Sequence, residues 1–339
     1  MNPLLLPLLF LKDLQAPIAI ACSGGLDSIA LLNAVCITIK HYLLTKPTLN
    51  NQSEKESMAM PIWALYIDHG IHPDSISWGD TLRDSAIHLN IHFDSIRVQG
   101  LSSNMPNLEN AARNARHRAL EQLCKQHGIA TLLFAHHAND QAETVLLNLC
   151  RGTGLNGIGM PAMRHVNGVL WLRPWLSVTR KDILNYAVEH HLKWIEDPSN
   201  TDESLRRNAI RHSVWPVLEH VEPRALSSLL RFVQLAQEYA NTEYILALNS
   251  LKAYFLETST PSQEQGIDWI SVSQGHDLAI QASFLRAWLA YLTCKPASKA
   301  RLYAMIQQLN AKTGNNVRCQ HDSWEFEYRC GKLWAVKTT

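Results

Sequence analysis

Ile18-Ala19-Ile20-Ala21-Cys22-Ser23-Gly24-Gly25-Leu26-Asp27-Ser28 carries an apolar, strand-like run through Ser-Gly-Gly-x-Asp-Ser into the helix-patterned Ile29-Ala30-Leu31-Leu32. Such a loop suits phosphate. The two glycines let the backbone approach an anion, the helix that follows opens with free N–H groups, and Ser23 and Ser28 add hydroxyl donors. Asp27 would repel a polyphosphate unless a magnesium ion bridges the two or the loop's own amides hold the carboxylate. The competing reading is an ordinary strand-to-helix turn in which Asp and Ser serve as caps. A Walker A loop is excluded because no lysine follows these glycines until Lys40, and ordinary kinase or GTPase chemistry goes with it.

Working outward, strand-like runs at 18–22, 63–68, 91–98 and 131–135 alternate with helix-like segments near 26–45, 78–90, 108–127 and 140–150. That alternation predicts an α/β fold with a doubly wound parallel sheet. In such sheets ligands collect beyond the carboxyl ends of the strands, where the strand order reverses. Polar clusters fall at those ends: Cys22-Ser23, Asp68-His69-Gly70 and His136-His137. A second helix-and-strand unit is expected through 169–175, 179–190 and Lys193-Trp194-Ile195, until Glu196-Asp197-Pro198-Ser199-Asn200 breaks the pattern. The polar segment 49–57 reads as a surface insertion. Beyond Pro216 the chain turns helical, apolar at helical spacing over 225–251, and ends as α+β. The expected division is therefore a catalytic domain over 1–216, then a helical linker and a smaller α+β domain over 217–339.

A chain of 339 residues has room for two domains, and its net charge of +1 argues against a uniformly basic surface. Locally the charge is uneven. Residues 278–321 contain no Asp or Glu, yet include Arg286, Lys295, Lys299, Arg301, Lys312 and Arg318. This is either an electrostatic footprint for RNA or a helix face whose counter-charges lie elsewhere in the fold. The seven cysteines form no Cys-x-x-Cys pair and no zinc spacing, so they read as mostly buried apolar residues in a reducing, cytoplasmic setting. Leu4-Leu5-Leu6 with Leu8-Leu9-Phe10-Leu11 lacks a preceding basic residue; it reads as an amphipathic helix on the core, not a signal peptide. No stretch is long and apolar enough to predict a membrane span.

Ala135-His136-His137-Ala138-Asn139-Asp140-Gln141-Ala142-Glu143-Thr144 follows a strand and opens a helix, gathering two histidines and two acids. A capping box with Asp140 as N-cap and Glu143 three residues on accounts for the acids, though not for adjacent histidines at a strand's carboxyl end. Zinc is the weaker reading, since the histidines are adjacent and no cysteine pair completes a site. Along the helix opened by Asn107-Leu108-Glu109, the residues Glu109, Arg113 and Arg116 share one face, as an ion-pair stripe or as part of the same sheet edge. Arg151-Gly152-Thr153-Gly154-Leu155-Asn156-Gly157 spells Gly-x-Gly-x-x-Gly but follows a helix, so it lacks the context of a dinucleotide fingerprint and NAD binding is rejected; a flexible loop beside the active site, with Arg151 available for phosphate, is expected. Arg206-Arg207-Asn208-Ala209-Ile210-Arg211 suits a polyphosphate or RNA backbone, or a solvated helix start.

The segments 23–28, 68–70, 107–116, 136–144, 151–157 and 197–211 stand in an order and approximate spacing similar to those of the tRNA(Ile)-lysidine synthases, a family of N-type ATP pyrophosphatases, and the resemblance covers most of the chain. It implies an adenine nucleotide alpha hydrolase-like fold and an ATP-dependent ligase. Such an enzyme adenylates the wobble cytidine of the CAU anticodon of tRNA(Ile), joins lysine to carbon two of the base, and releases pyrophosphate and AMP. The product reads AUA in place of AUG and carries isoleucine identity. By that resemblance Ser23, Gly24, Gly25, Leu26, Asp27 and Ser28 bind ATP, and Asp27 also holds Mg2+. Asp27, Asp140 and Glu143 are the catalytic residues, while Arg113, His136, His137, Arg151, Arg207 and Arg211 contact tRNA or substrate. The implied partners are ATP, Mg2+, free L-lysine, the CAU-bearing tRNA and a second copy in a homodimer. The chain departs from the family at Asn139, where an acid is usual, and 245–339 is expected to supply only the first of two small C-terminal domains. The rivals are a tRNA thiolase of the same superfamily, with Cys22 in the loop, and a noncatalytic RNA-binding adaptor.

Overall fold

The computed structural model describes residues 4–13, 17–45, 62–70, 74–99, 108–197, 206–257, 264–292, 294, 297–311 and 317–337. The segment 49–57, Asn107, the side chain of Glu109, residues 198–205, Lys295 and Lys312, all named above, lie outside the described residues.

Strands β1 (Ile18–Cys22), β2 (Ile62–Asp68), β3 (His92–Arg97), β4 (Thr131–Leu133), β5 (Met163–Val166) and β6 (Val169–Leu172) form one sheet in the order β3-β2-β1-β4-β6-β5. All neighbours pair in parallel except β5 with β6. Alternation along β1 explains its place between two layers. Ile18, Ile20 and Cys22 enter a core with α1 (Leu26–Thr45) and α2 (Ser75–Leu89), while Ala19 and Ala21 turn to the other face, where α3 (Leu108–Gln126) packs. On that second face Ala119, Leu120, Leu123 and Cys124 of α3 meet Leu65, Leu132, Phe134 and Trp171.

The antiparallel edge strand β5 departs from the purely parallel expectation. It closes a hairpin onto β6 through Asn167 and Gly168, at φ 50° and 85°. A two-residue turn with both central residues in the left-handed region matches the right-handed strand twist, so Asn-Gly is favoured there. Lys193-Trp194-Ile195 also departs from expectation. It forms no strand; Ile195 N–H donates instead to Gly24 O at 2.9 Å. The N-terminal leucines form a 3-10 helix over Leu6–Asp13, and Leu4, Leu8 and Leu11 are buried against the first face, where Trp175 Nε1 donates to Leu4 O at 3.1 Å.

Helix α4 (Ala138–Cys150) follows β4, and α5 (Arg180–Glu189) opens on a capping box made by Thr179 and Asp182. A single turn α6 (Arg206–Ala209) continues as a π-helical turn over Ile210–Val214 before α7 (Trp215–Val221) and the long α8 (Ala225–Leu251). The chain divides into two compact units, Met1–Leu147 with Gly159–Arg231 and Asn148–Ile158 with Phe232–Thr339. In the second unit, β7 (Glu264–Ile267), β8 (Val317–His321), β9 (Trp324–Arg329) and β10 (Lys332–Lys337) form an antiparallel sheet in the order β7-β10-β9-β8. Three helices, α9 (Trp269–Gly275), α10 (Leu278–Tyr291) and α11 (Lys299–Asn310), fill its core with Trp269, Trp288 and Leu302 against Phe326. Among the described residues no helix is long and apolar enough to cross a membrane.

Candidate active site

β1 lies between β2 and β4, so the chain winds away from it in both directions, and the crevice beyond its carboxyl end is the topological switch point. Two loops leave the sheet there. After β1, Ser23 N–H donates to Ser28 Oγ at 3.2 Å, the two hydroxyl oxygens stand 3.3 Å apart, and Ser28 Oγ donates to Gly25 O at 3.0 Å. The serines thus bind the loop to itself. Gly24 sits at φ 85°, and a Cβ there would lie 2.8 Å from Ile195 Cδ1. The left-handed backbone is what calls for glycine here, while the end of the Ile195 side chain would have to shift to admit a Cβ. Ile195, which carries no chemical signal in the sequence, therefore backs the loop.

The second loop leads into α4 with His137 as N-cap and Asp140 at the third helical position. His137 N–H donates to Asp140 Oδ2 at 3.0 Å, while Asp140 N–H donates to His137 Nδ1 at 3.3 Å. The capping box is real but begins three residues earlier than expected, so Asp140 is not the cap and Glu143 is free for other partners. With Nδ1 so engaged, Nε2 is the ring nitrogen turned to the glycine loop. That nitrogen is 3.5 Å from Asp140 Oδ2 and 3.7 Å from Asp27 Oδ2, linking the glycine loop to α4 through a ring only 1% exposed.

Glu143 lies one turn further along α4 and is 3% exposed. Arg207 Nε donates to its Oε2 at 2.7 Å, and Arg211 donates from Nε to Oε1 at 2.7 Å and from Nη2 to Oε2 at 3.0 Å. Arg207 Nη2 also donates to Asp140 Oδ1 at 2.9 Å. Their four-residue spacing puts both arginines on one side of α6 and the π-helical turn, a helix type often found at functional sites. Burial opposes the charge on Arg211, but its hydrogen bonds to Glu143 and the fields of Glu143, Asp140 and Asp27 outweigh it and hold the guanidinium above its ordinary pKa. Two carboxylates and two guanidiniums thus form a charge-balanced clamp.

On the α3 side of the same edge the charges are not balanced. Arg173 follows β6, is 7% exposed, donates from Nη1 to Pro161 O at 2.9 Å and lies over the Phe134 ring. Burial and the neighbouring Arg113 and Arg164 push its pKa down to about 10; burial with Arg113 and Arg207 does the same to Arg116. His136 stacks on Phe134 and is held well below its ordinary pKa by burial and then by Arg173, Arg207, Arg116 and Arg113. Arg113, expected on tRNA or substrate, contributes to this positive field.

Other expected site residues fall elsewhere. Arg151 is exposed and belongs to the second compact unit. Asn139 Oδ1 accepts from Arg180 N–H at 3.0 Å, at the start of α5. In the acid-free stretch, Arg286 pairs with Glu243 at 2.9 Å and Arg318 with Glu327 at 3.1 Å, so these two charges are met from outside the stretch. Cys22 is buried, and burial followed by the neighbouring Cys36 raises its thiol pKa. Among the described residues no three His, Cys, Asp or Glu side chains form a metal cage. Asp27 Oδ1 is nonetheless buried without a hydrogen-bond partner. One unpaired carboxylate oxygen fits magnesium held chiefly by phosphates and water.

The sequence matches a PP-loop domain model over residues 7–218 and a TilS substrate binding domain model over 273–334. It is 34% identical over 327 residues to a tRNA(Ile)-lysidine synthase of Burkholderia pseudomallei, covering 95% of this chain and 62% of that protein. It is 31% identical over 342 residues to one of Bordetella parapertussis, covering 98% and 93% respectively. The chain thus spans about three-fifths of the length of several relatives and nearly all of another. Among solved structures, the U34-tRNA thiolase NcsA of Methanococcus maripaludis superposes with a TM-score of 0.52 at 18% identity, covering 66% of this chain and 73% of that one; the likeness is one of fold.

Proposed function

Because this chain belongs to the tRNA(Ile)-lysidine synthase family of PP-loop proteins, we propose that it joins free L-lysine to the wobble cytidine of a CAU-anticodon tRNA(Ile) at the expense of ATP. The observation that supports this reading is the contact of the glycine loop with the α4 carboxylates through His137, which puts a phosphate cradle and an amine-binding charge cluster at one sheet edge.

Cytosine's carbonyl oxygen is a poor leaving group and must be activated. In the proposed first step O2 of the base attacks the α phosphorus of ATP in line, forming an O–P bond as the bond to pyrophosphate breaks. Residues 23–28 hold the departing pyrophosphate with backbone N–H groups and the serine hydroxyls. Asp27 would hold magnesium, which when bound spreads phosphate charge. Lysine's ε-amine, with a solution pKa of about 10.4, arrives protonated. Asp140, the more exposed of the two α4 acids at 13% against 3%, receives the ammonium and takes its proton, while Glu143 fixes Arg207 and Arg211. The amine then attacks carbon two and AMP leaves with the oxygen. A soluble cytoplasmic homodimer is part of the same proposal.

Incubation with ATP, magnesium, radiolabelled lysine and CAU-anticodon tRNA(Ile) tests it. Label on the wobble cytidine that depends on ATP and survives mild alkali, which cleaves aminoacyl esters, is the expected result. ATP turnover without such label would overturn the assignment and direct attention to sulfur donors, although the buried Cys22 thiol argues against that route.

A further inference from the structure

We propose that the recess framed by Arg116, Arg173 and His136 binds one phosphodiester group of the RNA, separately from the ATP loop. Three observations carry this. First, Arg116 Nε, Arg173 Nε, His136 Nδ1 and His69 Nδ1 are all sealed from solvent, yet none has a hydrogen-bond partner. Buried polar atoms are nearly always paired, so four such groups on neighbouring loops and one helix form a cluster that an anion's oxygens can satisfy. They come from the ends of β2, β4 and β6 and from α3, the same carboxyl edge that carries the glycine loop.

Second, positive charge predominates among the described residues there, with Asp68, beside His69 and paired to Arg97, as the one opposing field on His69. Among the described residues neither Arg116 nor Arg173 has a carboxylate within ion-pair distance, although Arg173 is as buried as a core residue. A buried cation without a counter-ion is costly, and a phosphate would offset that cost. Third, the imidazoles add donors without adding charge. His69 and His136 are held below their ordinary pKa by burial and by the arginines, so each offers a neutral ring at pH 7. A planar guanidinium with a free Nε is suited to two parallel bonds to phosphate oxygens.

The assignment of the phosphate to RNA rests on the proposed function. Arg207, within the clamp, also raises the potential at Arg116 and His136, so the recess lies near the carboxylate that would receive the lysine ammonium. A cytidine brought up to that lysine therefore carries its own backbone phosphate into the field of the recess.

The test measures binding of a CAU anticodon stem-loop by fluorescence anisotropy across a salt series, with ATP binding as a control for folding. Arg116→Gln is expected to weaken RNA binding about tenfold and to flatten the log–log salt slope by about 0.7, one single-strand phosphate contact, with ATP affinity kept. Arg116→Lys is expected to restore the slope while recovering only part of the affinity. Stem-loops carrying a single neutral methylphosphonate should reveal one position to which the native chain responds and Arg116→Gln does not. Equal affinity and equal slope for the native chain and Arg116→Gln would overturn the proposal. If inorganic phosphate alone raises the melting temperature in an Arg116-dependent way while RNA binding does not change, the recess takes free phosphate and the RNA assignment falls. A native chain that binds ATP but no RNA at all would overturn the lysidine reading itself, a result distinct from either.

Discussion

Two groups of arginines share the carboxyl edge of one sheet and treat charge in opposite ways. In the clamp, Arg207 and Arg211 are met by Glu143 and Asp140 at distances from 2.7 to 3.4 Å, so the cluster is balanced before any ligand arrives. In the recess, Arg116 and Arg173 face neutral imidazoles and each keeps an unpaired Nε. The contrast teaches that arginine content alone does not identify a binding site. A neutralised arginine is part of the scaffold and orients its carboxylate, whereas one left uncompensated is complementary to an anion the chain does not supply.

Removing the balance of the clamp is expected to have the largest effect. Glu143→Gln leaves two guanidiniums with Asp140 as their one remaining carboxylate, so stability should fall by about 3 kcal/mol in denaturant titration, toward the low end for breaking a buried pair because both arginines keep some solvent. ATP binding should persist while lysine transfer is lost; unimpaired transfer would show that the clamp is not catalytic machinery. Next comes Gly24→Ala, which alters the phosphate cradle without touching either arginine group. Its left-handed φ and the 2.8 Å approach to Ile195 predict a loss of about 1–2 kcal/mol and a marked fall in ATP affinity by calorimetry. The double variant with Ile195→Ala should recover only the steric part.

The recess can be probed by pH. His117, edge-on to Trp171 and Phe134, is lowered from its ordinary 6.5 to about 4 by burial, then by Arg116, Arg113, Arg173 and Arg164. Between those values the unfolded chain takes up a proton that the folded chain does not. Stability is therefore expected to fall as pH drops from 6.5 toward 4, and to be unaffected by this group above that window. His117→Phe should flatten the melting-temperature profile there; an unchanged slope would show that the positive field at the recess is weaker than its arginines suggest. The smallest effect is expected at Arg318, a 66% exposed arginine paired with Glu327 in the second unit. Arg318→Ala should change stability by less than about 1 kcal/mol. A larger loss would mean that exposure does not separate structural from surface pairs in this molecule.

Legibility in the sequence followed locality. The parallel strands β1, β2 and β4 and their helices were readable because each buries a short apolar run beside a helical period, and the glycine loop because its residue types state their backbone needs. The Asn167-Gly168 hairpin signal was equally local, but a four-residue strand with three of its residues exposed carries too little apolar pattern to announce itself. The α4 acids were found and their partners only partly: His137 took the cap, which shifted the box by three residues and released Glu143.

By itself the sequence determined the fold class, the phosphate-suited loop and the family, since these depend on residue types at fixed short spacings. Only the tertiary structure decided which charges neutralise which. Glu143 meets Arg207 and Arg211 across more than sixty residues of chain, and among the described residues no acid pairs with Arg173, in a site built from four separate segments. Coulomb energy depends on distance and burial through space, and neither is encoded in the order of residues along the chain.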